Sequence, residues 1–262
     1  MNSIALSLGA LSILALHVQA ASSIATTGAN ADLIWEGGDS AATAFDFPNS
    51  YTYIADTVGF GGEVGNPGVP QSFTSVSDST IDFSLLGEFN ELNALQMGLG
   101  GSGTLTVSSP AAYSSLYLLT SSAQGSAMGT VTITFSDTST LVLDFQSPDW
   151  YTTAEGAAAM NAEVAWAPQS SSRSIFVNTS NGGYYYSGGD TDIRPFIYSY
   201  ELEIPEAYQD LDVESLAFSM SSTGGATVST AIFGVSGTMV PEPATTLFAA
   251  LGALGFLRRR RA

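Results

Sequence analysis

The sequence predicts an all-β protein built as an antiparallel β-sandwich. Three observations carry this reading. Apolar and polar residues alternate with a period of two in many short stretches, as in strands with one buried face. Turns rich in Gly, Ser and Asn separate those stretches. No segment carries a long apolar stripe at the helical repeat. Many short strands divided by turns assemble as sandwiches or barrels.

The elements follow in chain order. Ile4 to Leu16 is an apolar run ending in Val18-Gln19-Ala20, a small-x-small pattern that signal peptidase accepts. Residues 1–20 are therefore expected to form a signal helix cleaved after Ala20. The run is shorter than the roughly 20 residues of a membrane span.

Residues 21–239 are expected to form one sandwich domain, because no Pro-rich or charged linker and no internal repeat divides them. Leu105 to Val107 and Leu116 to Leu119 are the early strand candidates. Val131, Ile133 and Phe135 alternate with threonines, a turn follows at Ser136 to Thr140, and Leu141, Leu143 and Phe145 resume the pattern as a hairpin. Residues 153–165 are alanine-rich and predict one short helix, weakened by Gly156. Tyr198, Tyr200, Leu202 and Ile204 mark a strand stopped by Pro205. Leu216, Phe218 and Met220 mark another, and Ala231, Phe233 and Val235 mark a late strand. Gly61 to Pro70 and Gln169 to Gly189 read as long loops. Gly98, Gly100 and Gly103 match a dinucleotide fingerprint in spacing only, since they precede a strand and open no helix.

Residues 240–262 differ from everything before them. Pro241-Glu242-Pro243 precedes an apolar run, Ala244 to Leu257, and then Arg258, Arg259, Arg260 and Arg261. The run suits a short hydrophobic helix that reaches about 21 Å, less than the ~30 Å hydrocarbon core. The arginines belong on the cytoplasmic side, which leaves the body outside.

Charge separates the tail from the body. The chain has 24 acidic and 6 basic residues, a formal charge of −18, and no lysine. Four of the basic residues are the tail arginines, so the stretch between the termini holds 23 acids against Arg173 and Arg194. Such a surface repels phosphates, and nucleic acid is excluded as a partner. Divalent cations are compatible with it.

Composition also removes much chemistry. There is no cysteine, and the single histidine, His17, lies in the signal segment. Ser-His-Asp, Cys-His and Ser-Lys catalysis lose a required member, as does histidine-ligated zinc. Two carboxylates suffice for glycoside hydrolysis, but no spacing marks a pair. With only oxygen ligands on offer, calcium is the expected ion. Asp190 and Asp192, beside Gly188-Gly189, form the compact candidate, followed by Asp137 and Asp149. Trp150, Tyr184, Tyr185 and Tyr186, with Tyr151 and Trp166, offer flat platforms for sugar faces.

Val240-Pro241-Glu242-Pro243, the apolar run and the arginine cluster resemble the PEP-CTERM sorting signal of exopolysaccharide-producing Gram-negative bacteria. The resemblance implies an inner-membrane intermediate, processing by an exosortase at or near the motif, and release to the cell surface or extracellular matrix. Within the body, Tyr113 to Thr120, the hairpin, Asp149-Trp150, Tyr198 to Pro205 and Ile232 to Gly237 look like galactose-binding-like jelly rolls. Relatives there carry Asp-Gly in the hairpin turn, where this chain has Asp137-Thr138. The sequence thus points to an exported, non-catalytic surface or matrix protein associated with polysaccharide. The alternatives are a secreted glycan-active enzyme using two carboxylates and a calcium-dependent adhesin.

Overall fold

The computed structural model describes residues 19–37, 42–46, 49–58, 68–168, 173–180, 183–188, 195–222 and 228–240. The two expected terminal helices lie outside those residues. Among the described residues, no helix is long and apolar enough to cross a membrane.

The strands are β1 (Ser22–Ser23), β2 (Thr26–Thr27), β3 (Ile34–Trp35), β4 (Tyr51–Ile54), β5 (Ser72–Thr74), β6 (Asp82–Ser84), β7 (Leu95–Gly98), β8 (Ser102–Ala123), β9 (Ala127–Phe135) and β10 (Thr140–Ser147). After helix α1 (Ala154–Ala158) come β11 (Ala162–Trp166), β12 (Arg173–Asn178), β13 (Gly183–Gly188), β14 (Ile197–Glu203), β15 (Asp212–Ser222) and β16 (Ser229–Met239). The expected antiparallel sandwich is what forms, and β9 and β10 are the expected hairpin, pairing Ile133 with Leu141 and Val131 with Leu143.

β8 organises the sandwich. The two short strands expected at Leu105 and Leu116 are parts of this one 22-residue strand. Its first half pairs with β2 and β15, its second half with β14 and β16. Register with β15 jumps from Thr106–Ser215 to Ala111–Val213. Pro110 lies within that irregularity, where its missing N–H breaks no ladder. A strand that passes between sheets at a bulge forms the corner of a sandwich.

The sheet built on the second half of β8 is buried on both faces. Leu116, Leu118, Ile232 and Val235 face one core, with Leu105, Val131, Ile133, Phe135 and Phe218. Leu119, Ala231 and Phe233 face a second core containing Trp35, Phe45, Tyr53, Phe83, Trp150 and Trp166. A smaller sheet, β13-β12-β4-β3, contributes Trp35, Tyr53 and Val177 to that second core. The late strand expected at Ala231, Phe233 and Val235 forms as β16, but the three residues do not all share a face. The register slips between Ile232 and Gly234, so Val235 turns to the opposite core from Phe233.

Two further expectations change. The stretch read as a loop from Gln169 contains the β12–β13 hairpin, with Phe176 opposite Tyr185. The alanine-rich segment makes only five helical residues, capped where the Thr153 hydroxyl accepts the Gly156 N–H at 3.1 Å. Asn161 then takes a φ of 56° and β11 begins.

Candidate functional site

The corner of β8 also gathers the two ends of the folded body. β1 pairs antiparallel with the end of β16, Ser22 opposite Gly237 and Ser23 opposite Ser236. The Ile24 N–H donates to the Val235 carbonyl at 2.8 Å. Ala21 is 2 % exposed. Its N–H donates to the Thr80 carbonyl at 2.8 Å and its carbonyl accepts the Asp82 N–H at 3.0 Å. Gln19 and Ala20, just before it, are exposed. The residue expected to precede the signal cut is thus the last one outside the sheet.

The other end is fixed as closely. Met239 pairs with Tyr113, and the Val240 N–H donates to the Ala112 carbonyl at 3.1 Å. The Ser114 hydroxyl donates to the Thr238 carbonyl at 3.3 Å. Gly237 is required here, because a Cβ would stand 2.5 Å from Tyr113 Cδ1 and 2.9 Å from Ile24 Cδ1. Tyr113 is buried over that glycine, and burial, with Asp212 adding, pushes its phenol pKa up. Pro241 follows Val240 in the sequence and has no N–H with which to extend the ladder.

Exposed carboxylates surround this corner. The β9–β10 turn carries Asp137, and the Ser136 N–H donates to the Asp212 carbonyl at 2.9 Å. Asp212 itself pairs with Ala112. The connection holding Glu206 and Asp210 leaves from Ile204, bonded to Ser114, and returns at Asp212.

The weaker calcium candidates of the sequence reading already serve the backbone. Asp137 Oδ1 accepts the Ser139 N–H at 2.9 Å and the Ser139 hydroxyl at 2.6 Å. The Ser139 hydroxyl, then its N–H, hold that carboxyl below the ordinary carboxylate range. Asp149 accepts the Gly125 N–H at 2.6 Å and the Tyr151 N–H at 2.9 Å. Among the described residues no three acidic or imidazole groups cluster in a way that could hold a metal. Asp190, Asp192 and the arginine cluster lie outside the described residues.

Of the proposed sugar platforms, Trp150 is 3 % exposed, with ring centroids 5.3 Å from both Phe45 and Tyr53. Trp166 is 4 % exposed in the same core. Neither indole offers a free face to solvent. Tyr184, Tyr185 and Tyr186 pair through their backbones with Val177, Phe176 and Ile175. Sequence reasoning missed one polar depression. Asp78, Glu163 and Glu201 line about 140 Å³ beside Tyr117, whose hydroxyl donates to Glu201 Oε1 at 3.1 Å. Its acids are scattered through three separate segments, so no spacing announces them.

Comparison with known proteins bears on the tail. Residues 240–261 match the PEP-CTERM protein-sorting motif. No curated protein matches the chain. The motif implies an exported protein, membrane-anchored before processing by an exosortase.

Proposed function

We propose that residues 21–239 are a single non-catalytic body, exported and sorted to the cell surface or extracellular matrix, where it associates with polysaccharide. The observation that carries this reading is a coincidence of boundaries. The sorting motif starts at Val240, directly after the last described strand, β16, ends at Met239. Removal of everything beyond it leaves every described strand intact. Loss of residues up to Ala20 does the same at the other end. Signal peptidase and the exosortase are then the two processing partners, and the tail contacts the membrane only before its removal.

The test is fractionation of producing cells, with mass spectrometry of the mature protein. Wild-type protein should lack Arg258 to Arg261 and reach the surface or matrix fraction. Pro241→Ala/Glu242→Ala protein should keep them and stay with the membrane. Mature, surface-located wild type that still carries the arginines overturns the processing half of the reading.

The glycan-active alternative has one specific observation in its favour, the depression lined by Asp78, Glu163 and Glu201. Its 140 Å³ falls short of the roughly 300–1,000 Å³ of small-molecule sites. Turnover of the producer's own polysaccharide, abolished by Glu163→Gln or Glu201→Gln, would establish that alternative in place of the non-catalytic one.

A further inference from the structure

We propose that the corner where β8 changes sheets is the membrane-facing surface of this body, and that its partner there is a lipid bilayer. The inference goes beyond sorting, and it rests on the reading of the tail as a membrane-held segment. Two facts on the chain path lead to it. Both chain exits lie on adjacent strands, Ser22 opposite Gly237, and neighbouring strands run about 5 Å apart. Both connections to apolar sequence are also short. Ala244 opens the apolar run four residues after Val240, a reach of roughly 14 Å at full extension. The signal run ends at Leu16, four residues before Ala20. A body held by either tether presents this corner, and one held by both resists turning about it.

The rest of the sandwich stands away from that surface. β8 runs about ten residues from Ala112 to each of its ends, some 30 Å at ~3.3 Å per residue. That exceeds the Debye length of about 8–10 Å at physiological salt. Only charges at the corner therefore feel an anionic bilayer. Asp137, Glu206, Asp210 and Asp212 are exposed there, as are Glu203, Glu214 and, beside Ala21, Asp82, and all are negative. They repel an anionic headgroup layer, while the tail holds the body against it. Loss of the tail removes the attraction and leaves the repulsion, which drives the processed body off the membrane.

The absence of cysteine allows a clean test. The full chain carrying one fluorophore, at Ala207→Cys or Ser136→Cys near the corner or at Leu99→Cys or Ala158→Cys far from it, is reconstituted in vesicles containing a headgroup-attached quencher. Quenching should be severalfold stronger at the two corner positions. Equal quenching at all four positions overturns the proposed orientation but leaves the tail reading standing. Vesicles that fail to retain the chain at all remove both.

Charge gives a second, independent readout. On phosphatidylcholine vesicles containing phosphatidylglycerol, joint Asp137→Asn, Glu206→Gln, Asp210→Asn and Asp212→Asn substitution should raise retention of the full chain about tenfold. Joint Glu88→Gln, Glu91→Gln, Asp144→Asn and Glu155→Gln substitution should leave retention unchanged. Added salt should raise wild-type retention on the same vesicles, a check that needs no variant. An equal gain from the two sets of substitutions, or no response to salt, refutes a corner-specific contact.

Discussion

Phe233→Ala tests the two-sided burial of the central sheet more sharply than any other single change. Phe233 is fully buried on the bulge of β16. Its ring lies edge-on to Tyr53 at 5.3 Å and to Phe45 at 5.9 Å. Truncation removes the transfer free energy of a buried aromatic, breaks two ring contacts and leaves a cavity that a rigid sheet fills poorly. Such changes cost about 3–5 kcal/mol, a third or more of the usual 5–15 kcal/mol of stability.

The assay exploits the position of the tryptophans. The chain has three, Trp35, Trp150 and Trp166, and all lie in the core that Phe233 faces. Tryptophan emission in urea therefore follows that core alone, while far-ultraviolet circular dichroism follows both. Because β8 and β16 serve both cores, the two signals should shift together, with one midpoint and an unchanged slope. A loss below about 1 kcal/mol would place Phe233 outside the packed interior. A shift in emission without a shift in dichroism would mean that the layers unfold separately, and the shared-sheet argument would fail.

Three further changes probe other parts of the argument. Gly237→Ala drives a methyl into Tyr113 and Ile24 and should cost about 1–3 kcal/mol; Tyr113→Ala in the same chain should make the second substitution nearly neutral, and independent effects would dismiss the contact. Thr138 is a β-branched residue at a φ of 70°, so Thr138→Gly should stabilise the protein by roughly 0.5–1 kcal/mol, read as a higher urea midpoint. Burial holds the Tyr53 phenol well above its ordinary pKa, so the folded state keeps a proton that the unfolded chain releases above about pH 10. Stability should therefore fall as pH rises past 10. Tyr53→Phe should flatten that fall while costing about 1 kcal/mol at neutral pH, through loss of the 2.7 Å bond to the Phe196 carbonyl. An alkaline profile unchanged by the substitution would exclude Tyr53 as its source.

What the sequence revealed depended on how many faces of each strand are buried. β9 alternates buried and part-exposed residues along its whole length, so its period of two is plain in Val131, Ile133 and Phe135. β16 is buried at nearly every position, and its bulge reverses the phase midway. Alternation in its sequence therefore carries no reliable information about facing. The strands before β7 span two to four residues each, too short for any period to declare itself. Composition misled in one respect, since Ser was read as a turn former and Thr as the open face of a strand. Thr120, Ser122, Ser147 and Thr230 lie buried in strands, where the Thr120 and Ser147 hydroxyls meet at 2.8 Å and those of Ser122 and Thr230 at 2.9 Å. Trp150 misled in a similar way. An aromatic after a hairpin reads equally well as a platform or a core residue, and only the second core, to which the β13-β12-β4-β3 sheet contributes, decides it.

The hairpin turn shows how a departure from a family pattern acquires a physical meaning. The Thr138 N–H donates to the Phe135 carbonyl at 2.9 Å, and the Phe135 N–H donates to the Ser139 carbonyl at 3.0 Å. That is a three-residue loop whose last position must be left-handed, the place glycine normally fills. Here Thr138 occupies it, and Asp137 offsets the strain by accepting two hydrogen bonds from Ser139. The carboxylate most readily taken for a calcium ligand is thus committed to turn geometry. Asp149 is committed likewise between Gly125 and Tyr151. When acids serve the backbone in this way, their number is no evidence of catalysis or ion binding. Among the described residues, the polar depression at Glu163 and Glu201 and the corner from which both terminal segments depart are features that such commitments leave open to a ligand.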